Sequence, residues 1–237
     1  MPAGKPGRAR IQLLGETMNH RLRIVVLLTV GLSMFTAPAL AQFPMARGPQ
    51  MKGVWKPVVG GGGVYKTDFK KDKGEMEIAV VGSESFEGKT GFWMEMVMNT
   101  EDGQMVVKNL LVVEGNTPGV KRMIMQPAGM DPMEMPVREM PGRRQEPMTG
   151  DVRQEAARVG TETITTPAGS FECEHWRTSD GSTDVWLSEK VSPWGIVQMK
   201  SKDGTMTLVR LISGAKSRIT KTPTKFDPME MMRRQNP

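Results

Sequence analysis

Turn signals cut this chain at nearly regular intervals, and that spacing constrains the fold more than any other feature. From residue 54 to residue 212, short apolar or alternating runs are separated by Gly60-Gly61-Gly62-Gly63, Glu101-Asp102-Gly103, Gly115-Asn116, Thr166-Pro167-Ala168-Gly169, Ser179-Asp180-Gly181 and Lys202-Asp203-Gly204. Strand-length runs returning about every 8–12 residues with turn chemistry between them predict an all-β sandwich or barrel. Two runs add a clean period of two. In residues 75–81, Met76, Ile78 and Val80 share one face while Glu75, Glu77 and Ala79 share the other. In residues 91–99, Phe92, Met94, Met96 and Met98 alternate with Trp93, Glu95, Val97 and Asn99. Successive side chains of a strand point to opposite faces, so each run has one strongly apolar face. Both faces of 91–99 carry apolar residues, which leaves its inward face open.

The intervals between these runs differ in character. Residues 42–52 are polar and proline-containing and read as a flexible lead-in to a single domain over 53–214. Residues 54–59 and 64–69 read as strand-like. Residues 127–150 are rich in Pro, Met and charge and read as a long loop, the kind that in compact domains is usually functional or mobile. Residues 151–159 suggest a short helix, with Asp151 as N-cap and Gln154 three residues on. Residues 215–237 lack periodicity and read as a disordered tail.

The front of the chain is an export signal. Arg21 and Arg23 precede an apolar run over 24–35, and Ala37-Pro38-Ala39-Leu40-Ala41 follows. A basic segment, about a dozen apolar residues and a small-x-small site make a secretory signal peptide over 1–41, with Met18 as the expected start. The run is shorter than the roughly 20 residues a spanning helix needs. The mature chain is expected in the periplasm or secreted, with peripheral envelope association as an option. The formal charge of +6 is concentrated at the front, in Lys5, Arg8, Arg10, Arg21 and Arg23 against Glu16. The remainder is too weakly basic to argue for nucleic acid as a partner. The basic pairs Arg143-Arg144 and Arg233-Arg234 read as solvated loop charges. With one cysteine, Cys173, the chain forms no intramolecular disulfide, and stability must come from a packed core.

Within residues 160–212, the run from Thr166-Pro167-Ala168-Gly169 to Cys173 precedes Asp184-Val185-Trp186-Leu187-Ser188. Val191-Ser192-Pro193-Trp194-Gly195-Ile196-Val197 and the Asp203-Gly204 hairpin follow. This pattern of turns and aromatics resembles the closing meander of exported bacterial proteins of the lipoprotein-localisation-factor-like (LolA/LolB-like) superfamily, and is nearest to its uncharacterised members. The resemblance implies a curved antiparallel sheet with helices plugging its concave face, and a cavity that holds acyl chains or other apolar ligands. Few segments here look helical, and methionine is unusually abundant, at 22 residues. The expected fold is therefore mainly β, a half-barrel or open barrel with few short helices. The expected function is non-catalytic binding of an apolar ligand, a lipid or a lipoprotein acyl group. Trp93, Met94, Met96, Met98, Trp186 and Trp194 are the candidate lining, or else ordinary core.

Methionine supports a second reading. Met123, Met125, Met130, Met133, Met135, Met140 and Met148 cluster in and beside the 127–150 loop, and Asp131-Pro132-Met133-Glu134-Met135 recurs as Asp227-Pro228-Met229-Glu230-Met231. Thioether sulfur is a soft donor that selects Cu(I). Copper through Met123, Met125, Met130, Met133 and Met135 is thus the alternative to a chain with no cofactor. A third reading is an envelope-interaction module without a small ligand, which predicts a filled concave face. Catalysis is not expected. Cys173 and His175 share a strand face but have no evident orienting partner, Glu172 and Glu174 read as a solvated face, and Gly60–Gly63 lacks the Lys-Ser/Thr of a phosphate loop.

Overall fold

The computed structural model describes residues 51–70, 72–100, 103–115, 117–137 and 149–227. Contacts divide the chain into residues 1–47 and 48–237, and the described residues all belong to the second unit. The signal segment, most of the lead-in, Met140, Met148, Arg143, Arg144 and the second Met-Glu-Met lie outside them.

The described residues form one large, curved, unclosed sheet with almost no helix. Its strands are β2 (Gly62–Phe69), β3 (Asp72–Phe86), β4 (Lys89–Thr100), β5 (Gly103–Glu114), β6 (Thr117–Gln126), β7 (Met133–Met135), β9 (Ala156–Thr166), β10 (Gly169–Thr178), β11 (Thr183–Leu187), β12 (Ile196–Ser201), β13 (Gly204–Ile212) and β14 (Thr224–Lys225). A parallel pair, β1 (Met51–Gly53) with β8 (Thr149–Asp151), stands apart. The sheet order is β14-β7-β6-β5-β4-β3-β2-β13-β12-β11-β10-β9. Two antiparallel meanders, β2 to β7 and β9 to β13, are therefore stitched together where β13 pairs with β2. Parallel pairing enters the large sheet at β14 on β7.

Curvature brings distant strands into one core. Tyr65 on β2 and Met94 on β4 pack in the same cluster as Cys173 on β10, Val185 on β11 and Leu208 on β13. The Tyr65 hydroxyl donates to the Ile196 carbonyl at 3.1 Å across the intervening β13, and burial raises its pKa far above the ordinary phenol value. A second cluster, Trp93, Val97, Val106, Leu110, Val112, Ile124 and Ile219, lies on the opposite face of β4–β6.

Four segments differ from the sequence reading. Residues 54–59 form no strand; Val54 and Lys56 instead donate backbone N–H groups to the carbonyls of Trp194 (2.9 Å) and Pro193 (2.7 Å). The helix expected over 151–159 is one turn, α1 (Val152–Glu155), capped by Asp151, whose side chain accepts from the Arg153 N–H. One turn gains little from helix cooperativity, and the chain from Ala156 to Thr166 instead pairs with β10 along its length. The 127–150 loop contains β7, which adds to the sheet beside β6. Residues 215–227, expected as tail, lie on the sheet: Ser217 Oγ and Arg218 N donate to Glu95 at 2.7 and 2.9 Å, Ile219 is buried, and Thr224–Lys225 pairs with β7.

Candidate functional site

Strand register decides which of the expected lining residues meet. On β4, Met94, Met96 and Met98 face the concave core, while Trp93 lies in the cluster on the outer face. Trp93 is thus a correction: a residue one step from Met94 on a strand points the other way and cannot line the same cavity. Its ring is held between Lys108 Nζ at 5.0 Å and the Arg122 guanidinium at 5.2 Å, and its indole N–H donates to Glu84 at 3.0 Å.

Met94, Met96 and Trp194 face inward but are packed, whereas Trp186 is a second correction: its cross-strand row runs through Gln198, Thr207 and Lys66, the outward side of β2, and Lys200 Nζ lies 5.1 Å over its ring. Met94 and Trp194 are each 1% exposed. The Trp194 indole N–H donates to the Met94 sulfur at 3.2 Å, and its ring lies 4.5 Å from that of Trp55. Gly53 makes that approach available: a Cβ there would fall 2.3 Å from the Trp194 carbonyl oxygen. The connection between β11 and β12, carrying Trp194, fills this part of the concave face. A hollow of about 150 Å³ remains beside it, lined by Val54, Trp55, Val113, Pro118, Asp151, Arg153 and Trp194. Drug-sized ligands occupy roughly 300–1,000 Å³, so the hollow is too small for an acyl chain.

Trp186 stacks on His175 at 4.5 Å and donates its indole N–H to Glu162 at 2.7 Å. His175 presents Nδ1 to Glu162 at 2.9 Å and Nε2 to Asp184 at 2.6 Å. Burial works against the Asp184 charge, but hydrogen bonds from Arg177 and His175 hold its carboxyl below the ordinary value. Cys173 shares a strand face with His175, as expected, but its thiol donates to the Phe171 carbonyl at 3.5 Å and burial pushes its pKa up to about 11. This cluster ties β9, β10 and β11 together.

The other end of the concave face is a methionine surface. Cross-strand partners run Met94–Asn109–Met123–Met135 in one row and Met96–Val107–Met125–Met133 in the next, with Met98 opposite Met105 beyond. Directly opposed residues share a face, so Met123, Met125, Met133 and Met135 form two adjacent pairs. All four are half-buried, as are Met98 and Met105. Met130 falls outside this block, in a turn where its N–H donates to Pro127 at 3.1 Å. Asn109 is 1% exposed, and its Oδ1 has no hydrogen-bond partner among the described residues. Sequence reasoning missed Asn109 and Met105. The signal was present: Asn109 is a polar residue at an inward position of the apolar run 105–113. No group of three or more His, Cys, Asp or Glu among the described residues is placed to hold a metal ion.

The fold and site define a class: a curved antiparallel sheet, closed off at one end by an aromatic plug and lined with methionine at the other. No protein-family model matches the chain, and no curated protein matches it. Among solved structures it is similar to a candidate lipoprotein from Parabacteroides distasonis ATCC 8503, at 16% identity over 68% of this chain and 100% of that one, with TM-score 0.34. It is also similar to a candidate exported protein with a YmcC-like fold from Bacteroides fragilis NCTC 9343, at 17% identity over 68% and 99%, with TM-score 0.32. A third similarity is to MucB in complex with MucA(peri), at 11% identity over 68% and 53%, with TM-score 0.18. TM-scores this low leave the architecture to stand on its own strand register.

Proposed function

We propose that this chain is an exported, non-catalytic binding protein that holds an apolar ligand, a lipid or lipoprotein acyl group, against the methionine end of its concave face. One observation carries the reading: Met98–Met105, Met123–Met135 and Met125–Met133 stand as directly opposed, half-buried cross-strand pairs at one end of the sheet face. Covering such a surface gains about 25 cal/mol per Å² of apolar area, and flexible thioether side chains adapt to a ligand without fixed shape. The export signal supplies the compartment. No helix among the described residues is long and apolar enough to cross a membrane. The buried thiol and the doubly engaged imidazole offer no ready nucleophile or base.

The test is native mass spectrometry of protein purified from the periplasm without detergent, followed by titration with cis-parinaric acid. A co-purifying lipid mass, or saturable probe binding weakened by Met98→Gln with Met125→Gln, supports the reading. Met96 is unsuited to this test, since it is buried and a polar substitution there would report on folding. The filled Trp194 end favours a second reading, an envelope-interaction module with no small ligand. An apo mass together with no saturable probe binding would replace the first reading with the second.

A further inference from the structure

The same surface has a property that an apolar ligand does not use. The geometry points to a Cu(I) site at the β6–β7 end of the concave face, formed by the thioethers of Met123, Met125, Met133 and Met135 with the Asn109 carbonyl oxygen beside them.

The placement rests on backbone register. Met125 is opposite Met133 and Met123 is opposite Met135. Opposed Cβ atoms on one face lie about 5 Å apart, and residues two apart along a strand about 6–7 Å. Four sulfurs on unbranched, rotatable stems therefore start from the corners of a patch small enough for three or four to reach one ion. Half-burial of all four keeps the patch open to a metal donor.

The donor set selects the ion. Thioethers are soft and neutral and favour Cu(I) over Zn(II), Mg(II) or Ca(II). The neighbouring carboxylate on β7, Glu134, points to the opposite face, where it accepts from Arg122 at 2.7 Å. The imidazole of His175 is taken up by Glu162 and Asp184.

Asn109 supplies a second, independent observation. A buried acceptor without a partner costs about 1–3 kcal/mol and calls for an explanation. Asn109 stands directly opposite Met123 on one side and Met94 on the other. Asn109 therefore places an unpartnered buried acceptor in the same cross-strand row as the sulfurs, where a monovalent cation would gain from it and an apolar chain would not.

The inference does not depend on the apolar-ligand reading, because leucine at the four positions keeps the surface apolar while removing every sulfur. The experiment presents the exported full chain with Cu(I), held by bathocuproine disulfonate under anaerobic, reducing conditions. The expected result is withdrawal of one equivalent of Cu(I) from the chelator, loss of that withdrawal in the Met123→Leu, Met125→Leu, Met133→Leu, Met135→Leu variant, and retention in a Met199→Leu, Met206→Leu control. Unchanged tryptophan emission and unchanged cis-parinaric acid binding separate loss of sulfur from loss of fold or of the apolar surface. Should the quadruple variant not fold, Met133→Leu and Met135→Leu on the three-residue β7 are tested singly, each expected to weaken withdrawal. X-ray absorption at the copper edge is expected to show a sulfur-only first shell. The proposal is overturned if the wild-type chain withdraws no Cu(I), if the quadruple variant withdraws as much as wild type, if nitrogen or oxygen dominates the first shell, or if Zn(II) binds as tightly.

Discussion

The two ends of the concave face are built from similar apolar residues and finished in opposite ways. At one end, Trp194 leaves the β11–β12 connection, packs on Trp55 and donates to the sulfur of Met94; both Trp194 and Met94 are 1% exposed. At the other end, Met123, Met125, Met133 and Met135 stand half-exposed on the last strands of the sheet. Methionine is thus core where an aromatic plug covers it and surface where none does. The lesson is that residue type did not decide the role; the presence of a covering segment did.

Breaking the plug should have the largest effect. Trp194→Ala should cost about 3–5 kcal/mol in denaturant unfolding, since it empties a fully packed aromatic site. A loss below about 1 kcal/mol would mean that the plugged end is no more packed than the open one. The sharpest comparison is one substitution made at both ends. Met94→Ala should cost about 2–5 kcal/mol, because it leaves a cavity and deprives the Trp194 indole of its acceptor. Met133→Ala should cost less than about 1.5 kcal/mol. Equal losses would erase the distinction.

The convex face has its own cover, which provides an intermediate effect. Glu95 is buried and accepts from Ser217 Oγ and Arg218 N. Glu95→Ala should cost about 1.5–3 kcal/mol, the scale of hydrogen bonds to a charged group. Hydrogen exchange should accelerate in residues 215–225 before it does in β4. Unchanged protection there would show that Ile219 and β14 suffice to hold the segment.

The smallest effect concerns pH at the open end. A hydrogen bond from Arg122 holds the Glu134 carboxyl below its ordinary value. A depressed folded-state pKa contributes stability that is fully present above about 4.3 and is lost as pH falls through the lowered value. For a half-exposed pair this amounts to at most about 1 kcal/mol. Methyl resonances of Met133 and Met135 should broaden below about pH 4, and Arg122→Leu should bring that broadening to neutral pH. Methyl signals indifferent to both would detach β7 from this ion pair.

Much of the sheet was legible in the sequence because its information is local. The 8–12-residue spacing anticipated the meander from β9 to β13, and alternation in 75–81 and 91–99 anticipated β3 and β4. The methionines of 123–135 were legible as a group, but not as a block: β7 is three residues long and is held by its neighbours, so nothing in its own pattern separates it from the loop around it. The helix expected over 151–159 shrank to one turn for a related reason, since pairing with β10 outweighs a capping signal.

By itself, the sequence determined most of the long strands, their antiparallel order within each meander, and the parity that keeps Trp93 apart from Met94. Only the tertiary structure decided which parity faces inward. Both faces of β4 are apolar, and the choice falls to partners 100 residues away at Trp194 and 122 away at Ser217. Periodicity is a property of neighbours along the chain, whereas the inside of a sheet is defined by whatever folds over it from elsewhere.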